Sequence, residues 1–534
     1  MKKLSILFLL IALSTAARDN YPINKAIDVL AYRFSFVLSD STDVIKGNTR
    51  IIINFRESIK EFEIDLVKKK ATGKGMTVLS VGPSEVVQSF THLDNDRIKI
   101  FLKGDIKAGT TQSFEIKYEG IPEDGLIIGN NKFGDRVFFG DNWPDRGHHW
   151  LACVDHPSDK AAVEFAINAP EQYQVVATGT LMEESNLSGK RKLTRWLEET
   201  PVPVKVMTMG IGRFATELSS VVNGIPITTW VYPQERDNGF SDFKVAPEIL
   251  AFFDRFIGPY SYDKLAHVQS KTRWGGLENA SNIFYFENVV NGKNEREGLI
   301  SHETAHQWFG NSVTEKDWHH VWLSEGFATY LTHVFMEHKY GDARRQTDMA
   351  KDRDEIVKSR LTYVHSVVDT TIVALGDLLS INTYQKAAWV LHMLRVKVGD
   401  DAFWKGVRSY YQKYQNSNAL TIDFQHEVEA TYGKPLDTFF KSWIYQGAQP
   451  MFYGKWDYDS KKKVAVLNWH QGQNILFDAQ LTIAAYFEGE TEPRLLTVNL
   501  LEPKGKIEVK ASKKPIRAVL DPNTNLLFTG KIEN

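Results

Sequence analysis

Two histidines four residues apart are the first feature of the sequence that could carry out chemistry. Residues 302–306 read His-Glu-Thr-Ala-His. On a helix, residues at this spacing share one face, so the imidazoles of His302 and His306 can bind one metal ion. Glu303 faces the same pocket without having to bind the metal, which is the position of a general base. The pattern predicts a hydrolytic metal centre.

A third metal ligand, Glu325, follows on the next predicted helix, in the run Trp-Leu-Ser-Glu-Gly-Phe-Ala. Two histidines and one carboxylate leave a fourth position for water, as a catalytic zinc ion requires, so we expect one zinc ion. The alternative is a surface helix that carries two solvated histidines. That alternative predicts polar neighbours, whereas Trp308 and Phe309 follow the motif directly.

The ligand pattern and a second motif together resemble one group of metallopeptidases. His302 to His306, eighteen intervening residues and Glu325 resemble the gluzincins, and within them the aminopeptidase N and leukotriene hydrolase family. Upstream, Gly-Gly-Leu-Glu-Asn at residues 275–279 is similar to that family's Gly-x-Met-Glu-Asn exopeptidase motif, with Leu277 in place of methionine. The resemblance implies a zinc metallo-aminopeptidase that acts on peptides with a free N-terminus.

Further matches extend the resemblance from about residue 27 to at least residue 450. They lie at residues 150–157, 256–260, 310–314 and 384–388. The last of these is similar to the family's Tyr-x-Lys-Gly segment, with alanine in place of glycine.

The resemblance also implies roles for individual residues. Tyr384 would donate a hydrogen bond to the negative oxygen of the tetrahedral intermediate. Glu278 would bind the substrate α-ammonium by a charge-assisted contact, and its motif places Gly275, Gly276 and Asn279 at the substrate as well. In related enzymes a glutamine of the β-domain assists this contact. Here the corresponding stretch reads Gly-Asp-Asn-Trp-Pro at residues 140–144, so Asn142 is the candidate for that role.

Other functions stay open on the sequence alone. A thermolysin-like endopeptidase would share the zinc and the base, and an epoxide hydrolase of the leukotriene hydrolase type would end in a helical domain instead of a β domain. A non-catalytic peptide-binding scaffold would be expected to lose a ligand or the base, whereas this chain retains every one of them.

The remaining histidines and the single cysteine are interpreted as structural. We expect His319 and His320 to support the metal site from outside it, and His333 and His338 to lie on a helix surface. His148 and His149 could border the pocket. Cys153 excludes an intramolecular disulfide, and its apolar neighbours predict a buried packing residue.

Hydrophobic periodicity divides the 534 residues into three parts. Alternation with period two predicts an N-terminal antiparallel β domain over residues 18–217, saddle-like if the resemblance holds. Helical spacing over 218–447 predicts a mostly helical catalytic domain, which the resemblance makes thermolysin-like. Alternation returns over 448–534 and predicts a small β-sandwich. The expected fold class is multidomain α+β, and a net charge of −2 gives no reason to expect nucleic acid as a partner.

The first 17 residues have the layout of a secretory signal peptide. Two lysines precede an apolar run of about ten residues and a short stretch of small residues. Such a run is too short to span a bilayer, which needs about 20 residues. We therefore expect an exported protein, periplasmic or secreted and bacterial in type, without stable membrane insertion after cleavage.

Overall fold

The computed structural model describes residues 20–533 of the chain. The predicted signal peptide lies outside the described residues. A β-rich region, a mainly helical region and a second β-rich region follow one another along the chain, which confirms the predicted fold class. Among the described residues, no helix is long and apolar enough to cross a membrane.

The N-terminal region consists of strands whose side chains alternate between buried and solvated positions, as in β1 and β10. Its strands are β1 (Ile27–Val37), β2 (Ile45–Phe55), β3 (Ile59–Asp65), β4 (Gly75–Gly82), β5 (Val87–His92), β6 (Arg97–Ile106), β7 (Thr111–Ile121), β8 (Leu126–Asn130), β9 (Arg136–Gly140), β10 (Lys160–Pro170), β11 (Gln174–Ala177), β12 (Thr180–Leu187), β13 (Arg191–Pro203) and β14 (Met209–Gly212). They form sheets of seven, four and three strands.

The seven-stranded sheet has the order β12-β13-β10-β1-β2-β7-β4. Its central pair, β1 and β10, is parallel, whereas its other pairs are antiparallel. The sheet is therefore mixed and not purely antiparallel. A parallel pair needs a long crossover connection, and here the chain between β1 and β10 builds most of the other strands before it returns.

A hairpin of β15 (Ala215–Val222) and β16 (Ile225–Val231) opens the catalytic region. Asn223 and Gly224 between them both have positive φ, which suits a two-residue hairpin turn. The predicted boundary after residue 217 falls inside β15, and β15 and β16 belong to the same five-stranded sheet as β17 (Leu265–Ser270), β18 (Gly276–Leu277) and β19 (Asn282–Phe286). The Asn-Gly pair at residues 223–224 predicts a hairpin turn, so it indicates that β15 and β16 belong to the same domain.

Ten α-helices fill most of the catalytic region. They are α1 (Arg236–Asp242), α2 (Ala246–Phe256), α3 (Glu297–Ala305), α4 (Trp322–Tyr340), α5 (Asp342–Lys358), α6 (Leu361–Val364), α7 (Ala387–Val398), α8 (Asp400–Tyr414), α9 (Thr421–Tyr432) and α10 (Asp437–Trp443), with the short strands β20 (Val313–Glu315) and β21 (Ser417–Ala419). Helix α3 ends at Ala305, and Gly310, whose φ is +124°, follows in the turn that leads to β20.

The C-terminal region consists of two facing sheets, of four and three strands. Its strands are β22 (Met451–Asp459), β23 (Val464–Gln471), β24 (Gln480–Tyr486), β25 (Arg494–Asn499), β26 (Lys504–Lys510), β27 (Arg517–Leu520) and β28 (Thr529–Glu533). Alternate residues such as Leu467 and Ile483 are buried, as the predicted sandwich requires.

Candidate metal centre and active-site pocket

Three side chains from two packed helices converge on one point. The Nε2 atoms of His302, on the last turn of α3, and of His306, directly after it, lie 3.1 Å apart. The Oε2 atom of Glu325, on the first turn of α4, lies 3.4 Å from the first nitrogen and 3.2 Å from the second. This His-His-Glu group could hold a metal ion. The helix spacing that predicted it is therefore matched by the geometry.

Neighbouring groups orient the His306 ring. Its Nδ1 atom lies 3.2 Å from the backbone oxygen of Phe309 and 3.0 Å from the hydroxyl of Ser324. A proton on Nδ1 that is donated to the carbonyl leaves the Nε2 lone pair directed at the metal position. Burial raises the pKa of the Glu325 carboxyl, but the two imidazoles outweigh burial and hold that pKa well below its usual range.

A pocket of about 60 Å³ adjoins the three ligands. Its wall also contains Glu303, Glu278 and Tyr384, together with Trp143, Trp274, Gly276, Leu277 and Leu379. The residues assigned to acid–base, oxyanion and amine chemistry therefore face the same small space as the metal ligands.

Glu303 is buried beside strand β18, with 5% of the residue exposed. A Cβ atom at Gly276 would lie only 2.2 Å from Glu303 Oε1, so glycine is needed at this position for the carboxylate to keep its place. Burial raises the pKa of Glu303 well above its usual range; the charge of His306 lowers this pKa, and the charges of Glu278 and Glu325 raise it. The base is thus held close to the ligands in a dry setting.

Glu278 points into the pocket while its backbone is fixed. Its carbonyl oxygen accepts hydrogen bonds from Gln307 Nε2 at 2.9 Å and Asn311 Nδ2 at 2.6 Å, which tie the motif to the segment after α3. Its side-chain atom Oε1 is buried and has no hydrogen-bond partner within residues 20–533. An unpaired buried carboxylate oxygen is costly, so it is well suited to receive a cation.

Tyr384 lies on a π-helical turn, Asn382–Lys386, that precedes α7. Its ring stacks on the His302 ring with 6.0 Å between the centroids. Burial and the charges of Glu325 and Glu278 raise the pKa of its hydroxyl well above the usual value, so the hydroxyl remains a hydrogen-bond donor.

The structure contradicts the prediction that Asn142 contacts substrate. The residue is fully buried, and its amide donates to the carbonyl oxygens of Val204 at 3.0 Å and Met207 at 2.7 Å. Its side-chain oxygen accepts from Trp150 Nε1 at 2.9 Å. These contacts use the amide to fasten a turn of the β domain. The adjacent Trp143 faces the pocket instead.

Two other residues of the 275–279 motif, Gly275 and Asn279, are not among the residues that line the pocket. A Cβ atom at Gly275 would first meet Leu299 Cδ1, at 4.0 Å. Asn279 is fully buried, and its backbone oxygen accepts from Asn282 N. Of the glycines and Asn279 that were predicted to bind substrate, Gly276 is the one among the pocket-lining residues.

The other histidines lie in structural contacts. His319 contacts Asp317 and the backbone oxygen of Ile372, and His320 contacts the Thr421 hydroxyl. His333 was predicted on the surface, but it is buried against Asp352 at 2.8 Å, because the following helix α5 covers that face of α4. His338 is exposed, as predicted. Cys153 is fully buried, as its neighbours predicted.

The sequence left open whether His148 and His149 border the pocket, and neither is among the residues that line it. His148 instead contacts Asp155 within the β domain, at 2.7 Å.

Comparison with known proteins connects this site to one family. Residues 242–443 match the family model described as the peptidase family M1 domain. The chain is 26% identical over 431 residues to a probable aminopeptidase 2 of Sulfurisphaera tokodaii, an alignment that covers 76% of this chain and 54% of that protein. It is 25% identical over 368 residues to a leucyl aminopeptidase of Saccharolobus solfataricus, an alignment that covers 65% of this chain and 46% of that protein.

A glutamyl aminopeptidase of Sus scrofa is 23% identical over 329 residues, covering 58% of this chain and 35% of that protein. The chain thus spans about half the length, or less, of these curated relatives. The matched segment contains the three candidate ligands, Glu303, Glu278 and Tyr384. Through this segment the chain is similar to the peptidase family M1 domain.

Proposed function

We propose that this protein is a zinc-dependent aminopeptidase, which removes the N-terminal residue from peptides. One observation carries the proposal: the unpaired carboxylate of Glu278 lines the same small pocket as the His-His-Glu group and the buried Glu303. A metal site with a base can cleave any peptide bond. The extra carboxylate selects a substrate with a free ammonium group, which is the property that defines an aminopeptidase.

The three ligand atoms fit zinc in both type and spacing. Imidazole nitrogens and a carboxylate oxygen are common zinc ligands. Ligands at about 2.0–2.1 Å in a tetrahedron lie about 3.3–3.4 Å apart, and the three separations here are 3.1, 3.2 and 3.4 Å. We therefore assign one zinc ion to His302, His306 and Glu325.

Bound zinc supplies a Lewis acid that lowers the pKa of a water molecule to roughly 7. Glu303 accepts a proton from the attacking water and passes it to the nitrogen of the leaving amine. Gly276 keeps the Glu303 carboxylate beside the metal position, since any larger residue would displace it.

Tyr384 and Glu278 bind two different parts of the substrate, the carbonyl oxygen of the bond that is cut and the α-ammonium. The Tyr384 hydroxyl, which stays protonated, donates a hydrogen bond to the oxygen on which negative charge develops. Glu278 Oε1 binds the α-ammonium and so sets the distance from the N-terminus to the bond that is cut. A peptide with a blocked N-terminus forfeits this contact and leaves Glu278 buried without a partner.

The test compares free and N-acetylated aminoacyl anilides with the zinc-loaded protein. We expect hydrolysis of the free substrate, loss of activity with a chelator and recovery with zinc. Glu303→Gln should lower kcat by about 10²–10⁴-fold without loss of bound zinc. Glu278→Gln should mainly lower kcat/KM for the free substrate. Equal hydrolysis of an N-blocked internal peptide and the free anilide would contradict the proposal and favour an endopeptidase.

We also propose that the protein is exported, on the layout of residues 1–17. Fractionation of cells that express the full-length chain tests this, and recovery of the uncleaved protein in the cytoplasm would exclude it.

A further inference from the structure

A buried ion pair connects the β domain to the catalytic domain next to the pocket. Lys205 Nζ, from the short turn Val204–Val206, lies 2.5 Å from Glu315 Oε1 at the end of β20. Their side chains are 1% and 0% exposed. Burying two charges is expensive, and such a pair often stabilises a protein no better than apolar residues of similar volume. Stability alone therefore does not account for this buried ion pair.

Two tryptophan rings surround the Lys205 ammonium. It lies 5.8 Å from the ring centroid of Trp143 and 5.4 Å from that of Trp318, within the range of cation–π attraction. The two rings also contact each other edge to face, with centroids 5.4 Å apart. Lys205 thus holds Trp143 from one side while Glu315 holds Lys205.

The backbone next to Trp143 is tied to the same turn. Asn142 donates hydrogen bonds to the carbonyl oxygens of Val204 and Met207, which flank Lys205. In addition, the Val206 carbonyl accepts from the backbone N–H of Ala280, directly after the Glu278 motif. Trp143, Lys205 and the amine-binding motif are therefore fixed relative to one another across the domain boundary.

Trp143 forms part of the wall of the metal pocket. The space left is about 60 Å³, which is room for only a few water molecules. An alanyl side chain suits so little room, whereas a leucyl side chain would have to push Trp143 away. A wall held by an ion pair and two amide hydrogen bonds resists that displacement.

We infer that the Lys205–Glu315 pair is a positioning device that holds Trp143 against the metal pocket, and that Trp143 so held restricts substrates to small N-terminal residues. The inference rests on the proposed aminopeptidase activity. Lys205 and Glu315 act through Trp143, whereas Trp143 itself contacts the substrate side chain.

The experiment measures kcat and KM of the zinc-loaded protein for alanyl and leucyl anilides. Wild type should prefer alanine. Trp143→Ala should raise the leucine-to-alanine ratio of kcat/KM about tenfold or more, since even one methylene in a pocket is worth about 10–200-fold. The double variant K205M/E315Q, which removes both charges of the pair, should raise the ratio about threefold, mainly through KM for leucine. The single variant Lys205→Arg, which keeps the positive charge, should retain the wild-type ratio.

Lys160→Met is the matched control. Lys160 also joins the two domains, through hydrogen bonds to the backbone oxygens of Asn311 at 3.0 Å and Ser312 at 2.7 Å, but it does not line the pocket. We expect Lys160→Met to lower the thermal midpoint and to leave the leucine-to-alanine ratio of kcat/KM unchanged. An equal change of ratio in Lys160→Met would overturn the inference, as would an unchanged ratio in Trp143→Ala or in the double variant. If the wild-type protein hydrolysed no aminoacyl anilide at all, the proposed aminopeptidase function itself would be contradicted.

Discussion

Three buried carboxylates share the pocket, and the atoms around each one decide what it can do. Glu325 lies between two imidazoles, which stabilise its negative charge and make it a ligand. Glu303 has no such pairing and lies against Gly276, where it can exchange a proton. Glu278 has a carboxylate oxygen with no hydrogen-bond partner among the described residues, as the proposed binding of a substrate ammonium requires. The same side-chain chemistry therefore supports three roles because the local partners differ.

A single histidine of the β domain should make stability depend on pH. Burial lowers the pKa of His148, but a hydrogen bond from its ring to Asp155 and the charges of Asp155, Asp65 and Asp145 raise it to about 9. A raised pKa in the folded state stabilises the protein fully below about pH 6.5, and that contribution is lost as the pH rises through 9.

We therefore expect the thermal midpoint of the wild type to fall between pH 6.5 and 9, by an amount that corresponds to about 3 kcal/mol at most. His148→Gln should lower stability at pH 6 and flatten the profile over this range. Differential scanning fluorimetry at matched ionic strength measures both curves, and parallel curves would contradict this role of His148.

At the scale of elements, the two-residue strand β18 and helix α3 are in such close contact that only glycine fits between them. A Cβ atom at Gly276 would overlap the Glu303 carboxylate, with 2.2 Å to Oε1, 2.4 Å to Cδ and 2.5 Å to Cγ. The neighbouring Gly275 has open space, with 4.0 Å to the nearest atom. Both residues lack positive φ, so backbone strain does not distinguish them.

This pair of adjacent glycines provides a matched test. Gly276→Ala should displace Glu303 and lower kcat by about 10²-fold, since a displacement of about 1 Å has effects of that size. Gly275→Ala should change kcat little. Steady-state kinetics with a free aminoacyl anilide, together with zinc content, separates loss of the base from loss of metal. Equal effects of the two substitutions would refute the close-contact explanation.

At the scale of the whole molecule, a few buried contacts fasten the C-terminal sandwich to the catalytic helices. Arg353 of α5 pairs with Asp521 at 2.8 Å and also donates to the Leu526 carbonyl oxygen. Its guanidinium lies over the rings of Trp389 and Phe528, one from each domain. Asp521 is 3% exposed in its side chain, so it depends on this partner.

Arg353→Met should lower the free energy of unfolding by about 3 kcal/mol, because it leaves a buried carboxylate without its cationic partner. Because Arg353 lies outside the pocket, kcat/KM at low temperature should be unchanged. Arg494→Met is the control, since Arg494 forms an ion pair with Glu490 at the solvent-exposed surface and should have little effect. If Arg353→Met lost activity under conditions in which it is fully folded, the C-terminal sandwich would be shown to influence the active-site pocket.

Sequence alone determined the parts of this protein that depend on short-range spacing. His302 and His306 share a helix face because they are four residues apart, and the alternation of strands and the helical periods gave the three-part architecture. Glu278 and Tyr384 were predicted by resemblance, and both line the pocket. The Asn-Gly turn at residues 223–224 carried the information that corrects the domain boundary.

The tertiary structure decided what depends on contacts between distant residues. Asn142 and Trp143 are adjacent in a loop, and only packing against the turn at residues 204–207 determines which side chain is buried and which faces the pocket. Lys205 and Glu315 are separated by 110 positions, so neither periodicity nor spacing pairs them. The pairing of His302 with His306 follows from local helix geometry, whereas the shape of the pocket follows from how two domains meet.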